Sequence, residues 1–273
     1  SPSVKICQAL KLAKAKLYGN ARYAELIMLE FLGQDKAWLF LNADTDINAK
    51  AYFALVSRFA RGEPFEYLFQ KASFYGLDLH AKKGVLIPRF DSEILLEICL
   101  DELSKRDYKG ILEIGFGSGA LSIALAKHTG RKISACDISK KALLLAKENA
   151  KLHKVEHLID FQLCDFKNIK CKFDFIFSNP PYIARDYPLD KWVQREPKFA
   201  LFGGKNGYET LAQIIKFARQ NGAKTLACEF GYNQRKILHT ILHKNGFDTE
   251  FFKDTGDFDR AFLARNSAKF SEI

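Results

Sequence analysis

Two short stretches of the chain carry residues whose types and spacing could do chemistry. The first, Asn179-Pro180-Pro181-Tyr182, directly follows the apolar run FDFIFS. Proline has no amide hydrogen and fixes its own φ, so Pro180 and Pro181 cannot extend a sheet ladder. The residue before a proline is held extended, which stiffens Asn179 as well. The stretch presents carbonyl oxygens and few donors at the carboxyl end of a strand, where open α/β sheets bind ligands. Such a site suits a planar nitrogen, a carboxamide or a base amino group, whose delocalised lone pair makes it a poor nucleophile. The Asn179 side-chain oxygen and the Pro180 carbonyl can hold its two hydrogens and aim the lone pair at an electrophile. Tyr182 can lie flat on the planar group and favour a cationic transition state through its π face. No general base is needed before transfer, because the nitrogen becomes acidic once alkylated. The competing reading is a rigid turn that closes a strand.

The second stretch is EIGFGSG, Glu113 to Gly119. Gly115, Gly117 and Gly119, with Phe116 and Ser118 between them, allow positive φ and let a ligand lie on bare backbone at a helix N-terminus. Dinucleotide enzymes favour G-x-G-x-x-G, whereas this is G-x-G-x-G preceded by Glu113. Asp137 ends the next strand, 22 residues after Gly115, where a carboxylate can accept both hydroxyls of a ribose; it also suits the N-cap region of the helix that follows. Asp165 and Phe166 end the strand after that, placing a carboxylate for an exocyclic amine beside a ring for an adenine face. Their order along successive strands describes a nucleoside-binding crevice, and a nucleoside carrying a methyl on sulfonium would supply the electrophile.

The elements that must position these groups alternate from Lys109 onward: ILEI, then a helix, KISACD, then a helix, LIDFQLC, FDFIFS, a helix near 207–221, KTLACEF, a helix at 233–245 and two late strands. That alternation predicts a mainly parallel, doubly wound sheet. Residues 1–64 read as wholly helical, with Ser3 and Asn20 as N-caps and Gly33 as a stop. Residues 65–86, in which aromatic and apolar residues bracket Gly76 and Gly84, read as a β-hairpin linker. A helical domain (1–64), the linker (65–86) and a catalytic domain (87–273) are therefore expected.

Composition excludes several classes. No apolar run approaches the ~20 residues of a membrane helix, and no secretory h-region opens the chain. The six cysteines are scattered with no C-x-x-C pair, which reads as reduced thiols in a cytoplasmic protein. His153/His157 and His239/His243 have a metal-compatible spacing but no third ligand nearby in sequence, so no metal is expected. Net charge is +10, from 42 Lys+Arg against 32 Asp+Glu. Residues 1–65 hold only nine basic against six acidic side chains, and no run of five or more basic residues occurs. An excess spread this thinly speaks against direct nucleic-acid binding and fits work near a nucleoprotein machine.

The ordered set EYLFQKASFYGLDL, IPRFDSE, EIGFGSG, DIS, NPPYI, EPKFALFGGKNGYE and EFGYNQ resembles the HemK/PrmC family, S-adenosylmethionine-dependent methyltransferases that modify the glutamine of the GGQ motif in class 1 peptide-chain release factors. The resemblance covers nearly the whole chain, although NPPY alone is shared with adenine and cytosine amino-methyltransferases. It implies a class I (Rossmann-like) methyltransferase domain with a seven-stranded, mainly parallel sheet whose last strand is antiparallel. It also implies that the glycine turn, Asp137, Phe166 and Asn179 contact S-adenosyl-L-methionine, and that Asn179 to Tyr182 hold the glutamine; the reading of the residues adds Asp165 to the cofactor contacts. The family loop I-P-R-P-E-T-E is here Ile87-Pro88-Arg89-Phe90-Asp91-Ser92-Glu93; Arg89 and Glu93 are kept and Phe90 is given no role. Phe116 stands where a small residue is common and is expected to pack over the cofactor.

Three function classes follow. The first is a protein glutamine methyltransferase acting on release factors as a monomer, its helical domain recognising the substrate. Within it, a ribosomal-protein glutamine is an alternative target. The second is N6-adenine methylation of nucleic acid, against which the weakly charged helical segment counts. The third is a non-catalytic nucleoside-binding module, which need not keep both NPPY and the glycine turn.

Overall fold

The computed structural model describes residues 3–270, which divide into two compact units. The first contains the described residues up to Gln70 together with Leu189–Arg195. Its helices are α1 (Ile6–Lys16), α2 (Arg22–Leu32), α3 (Lys36–Leu41), α4 (Ala49–Ala60) and α5 (Phe65–Phe69). Apolar residues at helical spacing meet in its core: Ile6, Ala9 and Ala13 of α1, Ala24, Ile27 and Met28 of α2, and Tyr52, Val56 and Phe59 of α4. The buried Tyr52 hydroxyl is satisfied by the Ala24 carbonyl at 2.8 Å. Leu189–Arg195 belongs here because Trp192 stacks on Phe59, centroids 5.0 Å apart, and its indole N–H donates to the Phe59 carbonyl at 2.9 Å.

This unit is not wholly helical. Strand β1 (Val4–Lys5) pairs antiparallel with β2 (Asp46–Ile47). That pairing holds the backbone extended up to Lys5, so α1 starts at Ile6 with Lys5, not Ser3, at its cap position. Ala21, not Asn20, occupies the cap position of α2. The side-chain caps are Asp35, which accepts from Trp38 N, and Asn48, which accepts from Ala51 N. Gly33 does end α2, in the left-handed conformation.

The second unit contains residues 71–188 and the described residues from Glu196 on. It opens with a hairpin of β3 (Lys71–Phe74) and β4 (Leu77–His80), tighter than the 65–86 expected, since Phe65–Phe69 are already helical. Helix α6 (Glu93–Lys105), which the sequence reading left unassigned, leads into β5 (Ile111–Ile114). Then come α7 (Ala120–Thr129), β6 (Ile133–Asp137), α8 (Lys140–Leu152), β7 (Ile159–Leu163), β8 (Phe175–Ser178), α9 (Glu209–Asn221), β9 (Thr225–Glu229), α10 (Arg235–Lys244), β10 (Phe247–Lys253) and β11 (Asp259–Asn266).

The sheet is seven-stranded in the order β10-β11-β9-β8-β5-β6-β7, and β11 runs antiparallel to both neighbours. Strands covered on both faces read as continuous apolar runs. Phe175 and Phe177 of β8 pack with α6, α7 and α8, while Ile176 between them packs with α9 and α10. The strand order reverses between β5 and β8, which opens the crevice there.

Behind the sheet, Glu102 of α6 is buried and receives Tyr108 Oη at 2.6 Å, Arg265 at 2.7 Å and Arg106 at 3.0 Å. Burial pushes its carboxyl up, but the Arg265 and Tyr108 hydrogen bonds outweigh this and hold it below its ordinary value. Arg265→Met leaves the charge to the half-exposed Arg106 and the Tyr108 hydroxyl and should cost about 3 kcal/mol in urea unfolding. A loss below about 0.5 kcal/mol, the scale of an exposed pair, would show that Arg106 suffices.

Candidate active site

The floor of the crevice is the turn between β5 and α7. Gly115, Gly117 and Gly119 have φ of 76°, 52° and 87°, a region that side chains rarely adopt. Their surroundings separate them. A Cβ on Gly115 or Gly117 would meet nothing within 4 Å and would stand in the open crevice. One on Gly119 would lie 3.0 Å from Ile123 Cδ1 and 3.2 Å from Ala146 Cβ, so this glycine lets α7 settle on α8. The Phe116 ring is buried against Phe161, centroids 4.8 Å apart, and the residue also lines a small pocket beside the cleft together with Gly115, Gly117 and Asn179. Ser118 is fastened from behind by Asn149, whose Nδ2 donates to its carbonyl at 3.0 Å.

Asp137 sits at the end of β6, beside this turn. Its carboxylate accepts the N–H of Gly117 and of Ser139, each at 2.9 Å. Burial pushes its carboxyl up, opposed by those backbone donors. Ser139, not Asp137, caps α8 by accepting from Ala142 N. Asp165 ends the loop after β7 and accepts Lys167 N at 3.0 Å, while Phe166 stands edge-on to Phe217 of α9. Gly115, Gly117, Asp137, Asp165 and Phe166 all line one cleft of about 280 Å³, whose remaining wall includes Asn179, Pro180 and Pro181.

Asn179 reaches that wall because Ser178 Oγ donates to the Ile114 carbonyl at 2.6 Å, tying the end of β8 to the end of β5. The prolines leave few donors, and the chain supplies support from outside. Ile183 N donates to Leu201 O and Gly203 N to Ile183 O, both at 3.0 Å. A Cβ on Gly203 would press into the Gly207 and Pro181 carbonyls, and one on Gly207 would lie 2.6 Å from the Tyr182 carbonyl. Gly203 and Gly207 of FGGKNGY are thus the contact that lets this loop clasp the NPPY backbone. Gln234 Nε2 completes the clasp on the Tyr182 carbonyl at 2.8 Å.

Residues outside the sequence-predicted set complete the site. Ser92 Oγ donates to Glu229 Oε2 at 2.5 Å and lies 3.1 Å from Asn179 Nδ2. Tyr182 Oη donates to Glu229 Oε1 at 2.7 Å, with Arg260 Nη1 at 3.4 Å from the same phenol. Burial, then the neighbouring Glu229, raises the Tyr182 pKa far above its ordinary value, so the phenol stays protonated and is no base. Arg89 pairs with the buried Glu196, which also accepts Ile87 N at 2.8 Å and so fixes the loop over the crevice. Ser92, Arg89, Glu196 and Glu229 lie in stretches that carry the family resemblance, but no local pattern distinguishes their contacts. Arg260 lies outside those stretches.

Comparison with known proteins agrees with this architecture. Residues 90–195 match the methyltransferase small domain family and residues 8–69 the PrmC N-terminal domain family. The chain is 38% identical over 245 residues to a release factor glutamine methyltransferase of Dictyoglomus turgidum, covering 86% of each chain. It is 33% identical over 272 residues to the protein of the same name from Aquifex aeolicus, covering 96% of each. Among solved structures, a methyltransferase from Pyrococcus furiosus superposes with a TM-score of 0.52 at 20% identity, over 71% of this chain and 91% of that one; at that identity the likeness speaks for the fold.

Glu113, facing α7 beneath the glycine turn, is buried with Ser122 Oγ as donor at 2.5 Å. Burial, with Asp137 adding to it against the Ser122 bond, pushes its pKa up to about 8. A carboxyl raised on folding contributes stability that is whole below pH 4–5 and is lost as pH rises through its folded value. The melting temperature of Glu113→Gln should therefore gain on the wild type from pH 5 to about pH 8 and level off above it. A gap constant across that range would show that Glu113 does not titrate there.

Proposed function

This chain belongs to the release factor glutamine methyltransferase family, and we propose that it transfers a methyl group from S-adenosyl-L-methionine to the side-chain nitrogen of the GGQ glutamine in class 1 peptide-chain release factors. The observation that carries the site assignment is a shared wall. Asn179, Pro180 and Pro181 line both the 280 Å³ cleft and a neighbouring pocket of about 70 Å³ lined by Tyr182, Leu86, Arg89 and Leu201. A group held in one cavity meets a group held in the other across that wall.

The residues present fit the cofactor. Gly115 and Gly117 leave bare backbone for it, Asp137 would offer a partly buried carboxylate to its ribose, and Asp165 with Phe166 would flank the adenine. When bound, the cofactor supplies a methyl on sulfonium with a thioether as leaving group. The chain's own residues then do the rest. Asn179 Oδ1 and the Pro180 carbonyl accept the two amide hydrogens, which turns the nitrogen lone pair toward the cleft. Tyr182, its hydroxyl fixed by Glu229, covers the amide plane and favours the positive charge that develops. The proton leaves after transfer, when the alkylated nitrogen is acidic, and no side chain need take it beforehand.

A glutamine on a loop offers few contacts, so the helical unit is assigned the recognition of the rest of the release factor. The reading is of a cytoplasmic monomer without direct nucleic-acid contacts. No helix among the described residues is long and apolar enough to cross a membrane.

Labelled methyl transfer to purified release factor, ribosomal protein and DNA, side by side, tests the substrate; label mainly on DNA overturns it. Asp137→Ala, which also frees the Gly117 and Ser139 amides, should weaken cofactor binding by about 1.5–3 kcal/mol in calorimetry. Asn179→Ala should lower kcat on the order of 10²-fold or more, with a much smaller effect on cofactor affinity. Near wild-type turnover would reduce the NPPY turn to a structural element.

A further inference from the structure

An asparagine amide presents an oxygen on one side and two donors on the other, and only the oxygen can receive a hydrogen of the acceptor amide. Backbone restraint from Pro180 does not choose between the two faces. The side chains behind Asn179 do. Glu229, the last residue of β9, is buried, and both of its carboxyl oxygens are taken by hydroxyl donors. Ser92 commits its one hydrogen to Glu229 Oε2, at 2.5 Å. Toward Asn179, 3.1 Å away, Ser92 has only lone pairs left. That side of the amide must be Nδ2, and Oδ1 is the atom left for the acceptor. The other carboxyl oxygen takes the Tyr182 hydroxyl at 2.7 Å, so one buried side chain orders both groups that meet the glutamine.

We propose that Ser92 and Glu229 are positioning residues of the methyl transfer, fixing through a one-way chain of hydrogen bonds which face Asn179 presents to the acceptor nitrogen. Without the carboxylate, Ser92 can turn its hydrogen to Asn179 Oδ1 and leave Nδ2 facing the donors of the substrate, two sets of hydrogens with no acceptor between them. A threonine at this position would serve as well, because only the hydroxyl takes part. This rests on the reading that Asn179 receives the acceptor amide, and the test separates the two.

The experiment is a double-mutant cycle on the full chain with intact release factor, reading kcat together with cofactor affinity by calorimetry. Ser92→Ala should lower kcat about 10-fold or more while cofactor affinity stays within about twofold, and Ser92→Thr should restore kcat to within about threefold. In an Asn179→Ala background, where there is no amide left to orient, Ser92→Ala should cost less than about twofold more. An equal loss in both backgrounds would make Ser92 merely structural and overturn the proposal, as would a Ser92→Ala enzyme of wild-type kcat or a Ser92→Thr enzyme as poor as Ser92→Ala. If Asn179→Ala itself turns over normally, the assignment of Asn179 falls; if Asn179→Ala fails while Ser92→Ala does not, the relay alone falls.

Discussion

A carboxylate buried without a cation in direct contact must be met by donors, and the Glu229 carboxylate at the end of β9 is met by two hydroxyls. Much of the site follows from that requirement. Burial holds its carboxyl above the ordinary value, Asp91 adding to it, and the Ser92 and Tyr182 bonds with the Arg260 charge farther off offset this only in part. The Ser92 bond draws the loop before α6 onto the end of the sheet, and the Tyr182 bond draws the residue after the two prolines inward. Asn179 and Tyr182 lie on the same short turn, so one charge sets both ends of it. A buried charge is expensive, and an open sheet offers a place for one only where strand ends and loops converge.

The second constraint is backbone. Asn-Pro-Pro-Tyr supplies few amide hydrogens, so the turn cannot be held by its own ladder. The clasp comes from residues 201–207, where Gly203 and Gly207 permit an approach that a Cβ would block. The glycine turn at the other side of the cleft divides its labour differently. Gly119 serves the packing of α7 on α8, whereas Gly115 and Gly117 face open space and are the two whose missing side chains a ligand can use.

How much of this was legible depended on range. Alternating apolar runs gave the sheet and its helices, because strands covered on both faces need little beyond local sequence to declare themselves; β5 matches ILEI residue for residue. Helix α6 was passed over because EILLEICLDELSK follows a proline-containing loop and its caps are backbone, not side chain. The expected caps Ser3 and Asn20 lost to tertiary context, in the first case a strand pair with partners more than forty residues apart. Of the crevice, Gly115, Gly117, Asp137, Asp165, Phe166 and Asn179 to Pro181 line one cleft, since each lies at or just after the end of a strand of a sheet whose order the pattern implied. The packing of Phe116 on Phe161 was not legible, because sequence cannot tell which way a side chain leaves a turn. The pairs Ser92–Glu229 and Arg89–Glu196 join residues over a hundred positions apart, and nothing in either partner's neighbourhood announces the other.

The central claim is the polarity of the acceptor site, and a crystal structure with S-adenosylhomocysteine and a GGQ peptide tests it most directly. The account predicts the glutamine nitrogen within hydrogen-bond distance of Asn179 Oδ1 and the Pro180 carbonyl, Asn179 Nδ2 still on Ser92, and the Tyr182 ring across the amide plane. A glutamine bound through its oxygen to Asn179 Nδ2, with Ser92 turned away from Glu229, would contradict it.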